Sequence, residues 1–129
     1  MELVRKELFI IRGCPGSGKS TLAKKLVDEH LLFEADMYFM KDGKYQYDKD
    51  KVGQAHGWCQ MMVTHAMEDS MYPIAVANTF VKRWEMDCYY RLAKTFGYRV
   101  TEITVSGDYG NVHGVPVEVV QRMKANWEV

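Results

Sequence analysis

A glycine-rich segment near the start of the chain has the residue types of a phosphate-binding loop. Residues 13–20 read Gly-Cys-Pro-Gly-Ser-Gly-Lys-Ser and match the pattern G-x-x-x-x-G-K-[ST]. Gly13, Gly16 and Gly18 allow backbone conformations and a close approach that a Cβ atom would block. Such a loop turns its backbone N–H groups inward, at the positive end of the following helix dipole. The segment therefore predicts binding of a nucleoside triphosphate.

The side chains of this loop predict how the triphosphate and its metal ion are held. We expect Lys19 to reach the β- and γ-phosphates, the Ser20 hydroxyl to ligate Mg²⁺ and Thr21 to support the α-phosphate. The alternative is a glycine-rich turn that caps a helix and leaves Lys19 solvated. The predicted nucleotide-binding residues are Gly13, Cys14, Pro15, Gly16, Ser17, Gly18, Lys19, Ser20 and Thr21.

The elements around the loop follow from the pattern of apolar residues. Short β-branched and aromatic runs predict strands, at residues 8–12, 31–35, 74–77 and 98–105. Apolar residues at helical spacing predict helices, at residues 19–30, 50–70, 84–96 and from 116 to about 127. Strands that alternate with helices imply a parallel sheet with helices on both faces. We therefore expect a three-layer αβα P-loop NTPase fold, with a mostly parallel sheet of about four strands.

Length and composition exclude several classes of protein. The 129 residues allow one domain, predicted over residues 1–129, and the 17 basic and 17 acidic residues give no net charge. Zero net charge argues against coating nucleic acid through bulk positive charge. No apolar stretch is long enough to span a bilayer, and charges interrupt the first residues before a signal peptide could form. Three scattered cysteines without a Cys-x-x-Cys pair fit reduced thiols, and we expect a cytoplasmic protein with no membrane partner.

Several further segments, in chain order, resemble phage-type polynucleotide 5′-hydroxyl kinases and related small AAA-type ATP-binding kinase-like domains. The resemblance covers roughly residues 8–127. Besides the loop, it is carried by residues 34–39, 45–48, 55–59, 77–79, 84–90, 111–116 and 122–123. It implies an ATP·Mg²⁺-dependent kinase that transfers the γ-phosphate to a hydroxyl, with the 5′-hydroxyl of a polynucleotide as the leading acceptor. A nucleoside or another small-molecule alcohol is the alternative acceptor, because the neutral chain favours a small footprint.

The acceptor side of the site is predicted around residues that follow strands. Asp36 follows the second predicted strand and so lies at the carboxyl edge of the sheet, where ligands bind in open α/β folds. The resemblance makes Asp36 the general base, whereas the alternative is an N-cap for a helix that begins at Met37. Asn78 and Thr79 end another strand and can hydrogen-bond a phosphate or the acceptor, or satisfy local backbone groups. His56 is expected to flank the acceptor pocket or simply to pack.

The chain departs from the resembling kinases in its arginines. Phe39 stands where the phage enzymes have an arginine three residues after the base, and Gly110 stands where an arginine precedes the lid segment. Lys and Arg are absent between Arg99 and Arg122, although a lid arginine is worth about 10³–10⁵ in rate in this class of enzyme. Arg122, Lys124, Arg83 or a residue from a partner subunit could substitute, and His113 could donate one hydrogen bond. The rival hypothesis is a nucleotide-binding module without efficient phosphoryl transfer.

Overall fold

A parallel sheet forms the centre of the computed structural model, which describes residues 5–106 and 115–129. The N-terminal half contains β1 (Glu7–Arg12), α1 (Lys19–Leu26), β2 (Leu32–Phe33), β3 (Met40–Lys41), β4 (Lys44–Tyr45) and α2 (Val52–Glu68). The C-terminal half contains β5 (Ile74–Asn78), α3 (Asp87–Phe96), β6 (Arg99–Thr104) and α4 (Val117–Ala125). Within these residues the main sheet has four strands in the order β2-β5-β1-β6, all paired in parallel.

The two faces of the sheet are covered by different helices because side chains alternate along each strand. Ile10 of β1 and Val76 of β5 are buried with the apolar residues of α2 and α3. Ile11 and Ala75, their neighbours along the chain, are buried on the other face with Ala23 of α1. Strands covered on both faces are continuously apolar. The predicted αβα architecture is therefore confirmed.

A small hairpin around Asp42 and Gly43 is not among the elements predicted from the sequence. β3 and β4 pair in an antiparallel manner, with Met40 opposite Tyr45. Asp42 and Gly43 have φ values of 52° and 76°, the left-handed conformation that a tight two-residue turn requires at both central positions. The Asp-Gly pair was the available signal, but the flanking strands are only two residues long each.

Two predicted helices are shorter than expected. The first ends at Leu26 rather than His30, because Val27 already has extended backbone angles (φ −136°, ψ 162°). The third begins as a 3₁₀ turn over Arg83–Met86 and becomes α-helical at Asp87. The predicted lid segment around Gly110 and His113 lies outside the described residues. In the described part of the chain, no helix combines the length and apolar character needed to cross a membrane.

A buried arginine joins three parts of the chain at the end of β1. The Arg12 guanidinium donates hydrogen bonds to the Phe80 carbonyl (2.6 and 3.1 Å) and to the Glu128 carbonyl (2.6 Å), and it lies 4.3 Å from the centre of the Trp127 ring. Phe80 has a φ of 49°, a conformation that non-glycine residues rarely adopt. Arg12 thus holds this backbone and the C-terminal segment against the strand that leads into the glycine-rich loop.

Replacement of Arg12 by alanine is expected to destabilise the fold strongly. It removes charge-assisted bonds and leaves buried carbonyl groups without a donor, so the free energy of unfolding should fall by about 3 kcal/mol or more. Urea denaturation measures this change. Arg91→Ala, at an exposed position of α3, is the matched control and should change stability by less than about 0.5 kcal/mol. Equal stabilities of the two variants would contradict the structural role of Arg12.

Candidate active site

The glycine-rich loop lies between β1 and α1, as its sequence predicts. Gly18 has a φ of 96° and occupies the N-cap of α1, where it supplies no capping side chain. The first N–H groups of the helix therefore keep their affinity for an anion. Lys19 Nζ donates to the carbonyl oxygens of Gly13 (2.8 Å) and Cys14 (3.2 Å), so the lysine folds back over the loop. Burial lowers the pKa of Lys19, and the nearby carboxylates of Glu34 and Asp36 act in the opposite direction.

Close packing explains the glycine at the first position of the loop. A Cβ atom on Gly13 would lie 2.6 Å from the Val105 carbonyl oxygen and would also collide with the Ser17 hydroxyl. The Val105 oxygen belongs to the backbone just after β6, so it cannot turn away as a side chain does. Gly13 therefore lets the loop pass against the end of the neighbouring strand.

Gly13→Ala is expected to lower the free energy of unfolding by about 1–3 kcal/mol, because an added methyl group must displace backbone. Gly57→Ala is the matched control. Gly57 lies in α2 with open space around its Cβ position, so this change should raise stability by about 0.5–1 kcal/mol. Urea denaturation of the two variants measures both values. Opposite signs support the packing argument, and a stabilising Gly13→Ala would contradict it.

A cavity of about 620 Å³ opens in front of the loop. The loop residues that line it are Pro15, Gly16, Ser17, Gly18, Lys19, Ser20 and Thr21, whereas Gly13 and Cys14 do not line it. The opposite wall comes from residues after β2 and β5, from α2 and from α4. The predicted residues Asp36, His56, Asn78 and Thr79 all line this wall. The structure thus brings most of the predicted phosphate and acceptor residues around one cavity.

Asp36 lies in a 3₁₀ turn, Ala35–Phe39, directly after β2. Its Oδ1 accepts a hydrogen bond from the Tyr45 hydroxyl at 3.0 Å. Burial raises the pKa of Tyr45, and Asp36 raises it further, so the hydroxyl keeps its proton and donates. The N-cap of the turn is Glu34 rather than Asp36, and it makes no side-chain capping bond. The capping alternative for Asp36 is therefore wrong, and its carboxylate lines the cavity instead.

Asn78 ties the end of β5 to the segment that contains Asp36. Its Oδ1 accepts a hydrogen bond from the Ala35 N–H at 2.8 Å, and its Nδ2 lies 3.8 Å from the Cys59 sulfur. The residue is buried, so both bonds satisfy groups that water does not reach. Its oxygen thus has the backbone-satisfying role that the sequence analysis left as an alternative. The same bond fixes Ala35 between the two half-buried acids, Glu34 and Asp36.

Glu34 is a site residue that the sequence analysis did not select. Its Oε2 accepts a hydrogen bond from the Ser20 hydroxyl at 2.7 Å, and it lines the cavity beside the loop. The available signal was its position, because β2 ends at Phe33 and the carboxyl ends of parallel strands form the binding edge.

The cations around the cavity differ from those that were predicted. Arg83 makes a bidentate ion pair with Glu102 at 2.6 and 3.1 Å and does not line the cavity. Arg122 is exposed on α4, and neither it nor Lys124 is among the described lining residues. Among the described residues, the lysines that line the cavity are Lys19 and Lys49, and no arginine does. His113 and Gly110 lie outside the described residues.

The fold and the loop together define a kinase-like P-loop nucleotide-binding domain. The chain belongs to the AAA domain family, whose model matches residues 8–113. It is 34% identical over 133 residues to NEDD4-binding protein 2 from Homo sapiens, across 94% of this chain but only 8% of the human protein. It is 28% identical over 131 residues to uncharacterized protein PM0531 from Pasteurella multocida, across 90% of this chain and 73% of that protein.

Solved structures confirm the fold class at low sequence identity. A protein from Chloroflexus aurantiacus named "putative kinase" has a TM-score of 0.57 and 18% identity, over 81% of this chain and 61% of the other. The AvrRxo1-ORF1:-ORF2 complex, solved with ATP, has a TM-score of 0.54 and 17% identity, over 79% of this chain and 37% of the other. The predicted kinase-like fold is therefore confirmed, whereas the narrower likeness to phage-type polynucleotide kinases stays a prediction.

Proposed function

We propose that this chain binds ATP with Mg²⁺ and transfers the γ-phosphate to a hydroxyl, with the 5′-hydroxyl end of a nucleic acid as the leading acceptor. The observation that carries the proposal is the single cavity that contains the phosphate loop, Lys19, Ser20 and the Asp36 carboxylate. Phosphoryl transfer requires mainly positioning, charge neutralisation and a group that accepts the acceptor proton. The ATP bound by the AvrRxo1 complex, a protein of the same fold, supports the choice of nucleotide.

In the proposed reaction, the residues of the cavity have separate roles. The loop N–H groups and Lys19 bind the phosphates, and Asp36 accepts the proton of the attacking hydroxyl. The acceptor oxygen forms a bond to the γ-phosphorus while the bond from that phosphorus to the β–γ bridging oxygen breaks, and ADP leaves. The Ser20 hydroxyl oxygen is a hard donor that would suit Mg²⁺, and the carboxylate of Glu34 is hydrogen-bonded to it. When bound, the ion neutralises phosphate charge.

A second groove supports an acceptor longer than a nucleoside. It has a volume of about 690 Å³ and shares Phe39, Tyr47 and Lys49 with the main cavity. Lys41 and Lys51 also line it, together with Asp48 and Asp50. Tyr47 is 58% exposed and its ring stacks on Tyr45, with 6.4 Å between centroids. Exposed aromatic rings beside lysines are typical of surfaces that bind single-stranded nucleic acid.

Removal of the proposed general base, Asp36, should affect phosphate transfer but not ATP binding. Asp36→Asn is expected to keep ATP affinity and to lower transfer to a 5′-hydroxyl oligonucleotide by about 10²–10⁴, because the amide cannot accept the proton. Lys19→Ala should weaken both binding and transfer. Calorimetry with a nonhydrolysable ATP analogue and labelled phosphate transfer measure the two quantities. Full transfer by Asp36→Asn would contradict the assigned base.

The acceptor class is tested by replacing the lysine shared by the two grooves. Lys49→Ala is expected to raise the KM for a 5′-hydroxyl oligonucleotide about tenfold and to leave the KM for a nucleoside nearly unchanged. Lys44→Ala is the matched control, since Lys44 is an exposed lysine of β4 that lines neither groove. Equal effects of the two variants would exclude the shared groove as the acceptor path.

A nucleotide-binding module without efficient transfer is the second candidate. It is favoured by the cavity lining, in which the described residues include no arginine to stabilise the transferring phosphate. The same assay separates the two functions. A wild-type chain that binds the ATP analogue but transfers phosphate to no oligonucleotide and no nucleoside would support the binding module.

A further inference from the structure

We propose that Glu34 positions the metal ligand of the phosphate loop. Glu34 accepts the hydrogen bond from the Ser20 hydroxyl, which leaves the lone pairs of the Ser20 oxygen free to ligate the nucleotide-bound Mg²⁺. Glu34 would act through Ser20 and would supply the negative charge beside the ion. The proposal rests on the proposed function, since it concerns the metal that accompanies ATP.

The hydrogen bond itself limits how Ser20 can act. A serine hydroxyl has one proton to donate and two lone pairs to share. Its proton is donated to Glu34 Oε2 at 2.7 Å, a distance typical of a hydroxyl donor. The remaining lone pairs are the only part of the group that can ligate a cation. The bond therefore prepares Ser20 to act as a metal ligand, whereas it prevents Ser20 from donating to a phosphate.

Two hydrogen bonds hold the backbone that follows the Glu34 side chain. The Ala35 N–H donates to Asn78 Oδ1 at 2.8 Å, and the Met37 N–H donates to the Glu34 carbonyl at 3.1 Å. These bonds fix the turn that follows β2 against the end of β5. The Glu34 carboxylate therefore projects from a restrained position, as a partner that orients a metal ligand must.

Asn78 cannot supply the charge that Glu34 supplies. Its amide is neutral, and its oxygen is already bonded to the backbone. Around the cavity, the described lining residues include three carboxylates (Glu34, Asp36, Glu85) and two lysines (Lys19, Lys49). A triphosphate adds further negative charge to this set, so it needs a divalent cation close to the acids. Of these three carboxylates, Glu34 has a hydrogen bond to the phosphate loop, through Ser20.

The test measures how strongly Mn²⁺ strengthens binding of a nonhydrolysable ATP analogue, AMP-PNP. The dissociation constant is determined by calorimetry in EDTA and again with saturating Mn²⁺, and the ratio reports how well the protein holds the metal. Glu34→Ala is expected to lower this ratio by about 10–100-fold, the usual cost of losing a group that orients a metal ligand. The ratio for Glu34→Gln should lie between those of the wild type and Glu34→Ala, since the amide oxygen can still accept a hydrogen bond from the Ser20 hydroxyl.

Two controls separate metal positioning from charge and from folding. Glu85→Gln also removes one negative charge from the cavity. Glu85 accepts a hydrogen bond from the Lys82 N–H, whereas Glu34 accepts one from the Ser20 hydroxyl. The Glu85→Gln variant should keep the wild-type ratio. The thermal midpoint of each chain without ligand detects a purely structural role, which would lower the midpoint of Glu34→Ala and leave the ratio intact.

Each outcome decides the proposal. An unchanged ratio in Glu34→Ala, or equal losses in Glu34→Gln and Glu85→Gln, would overturn the role of Glu34 while leaving the proposed function standing. A Glu34→Ala change that costs as much in a Ser20→Ala background as in the wild type would also overturn it, because the two residues would then act independently. Failure of the wild-type chain to bind AMP-PNP under either condition would instead reject the proposed function, and this inference with it.

Discussion

The parallel pairing of β1, β5 and β2 is the constraint on which the site depends. It brings the ends of three strands to one edge of the sheet, so the glycine-rich loop, Asn78 and the two acids meet there. The loop follows β1, the two acids follow β2, and Asn78 is the last residue of β5. The bond from the Ala35 N–H to Asn78 then ties two of these ends together. Without that register the same residues would be spread along the chain with no common cavity.

The residue pattern of neighbouring segments was sufficient to predict β1, the phosphate loop and the position of Asp36. Apart from the half-buried Phe9, the run Leu8–Arg12 is buried in β1, and the loop motif at residues 13–20 has the predicted strand and helix on either side. The position of Asp36 after a strand was sufficient to predict its place at the cavity. These features could be predicted because strand, loop and helix are neighbours in the chain and each has its own residue preferences.

The features that were missed depend on contacts between distant residues. Glu34 follows β2, as Asp36 does. What marks Glu34 as a site residue is its bond to Ser20, fourteen residues away in the chain. Lys49 lies in a polar segment with no apolar period, and only the folded chain brings it to the cavity. Arg122 was expected to substitute for a lid arginine, yet Val119 and Met123 are the residues of α4 that line the cavity.

The arginines near the cavity have structural partners, and this changes how charge is distributed over the site. The Arg12 guanidinium is bonded to backbone carbonyls and stacked on Trp127, and Arg83 is held by Glu102. Releasing either one toward a phosphate would break several charge-assisted bonds, which makes such a movement costly. Among the described lining residues, Lys19 and Lys49 are therefore the lysines that could face the proposed triphosphate, together with the proposed divalent cation beside Glu34. In the proposed reaction, such a site would depend more on its metal ion than a site with a lid arginine does, because the ion would have to neutralise the carboxylates as well as the phosphates.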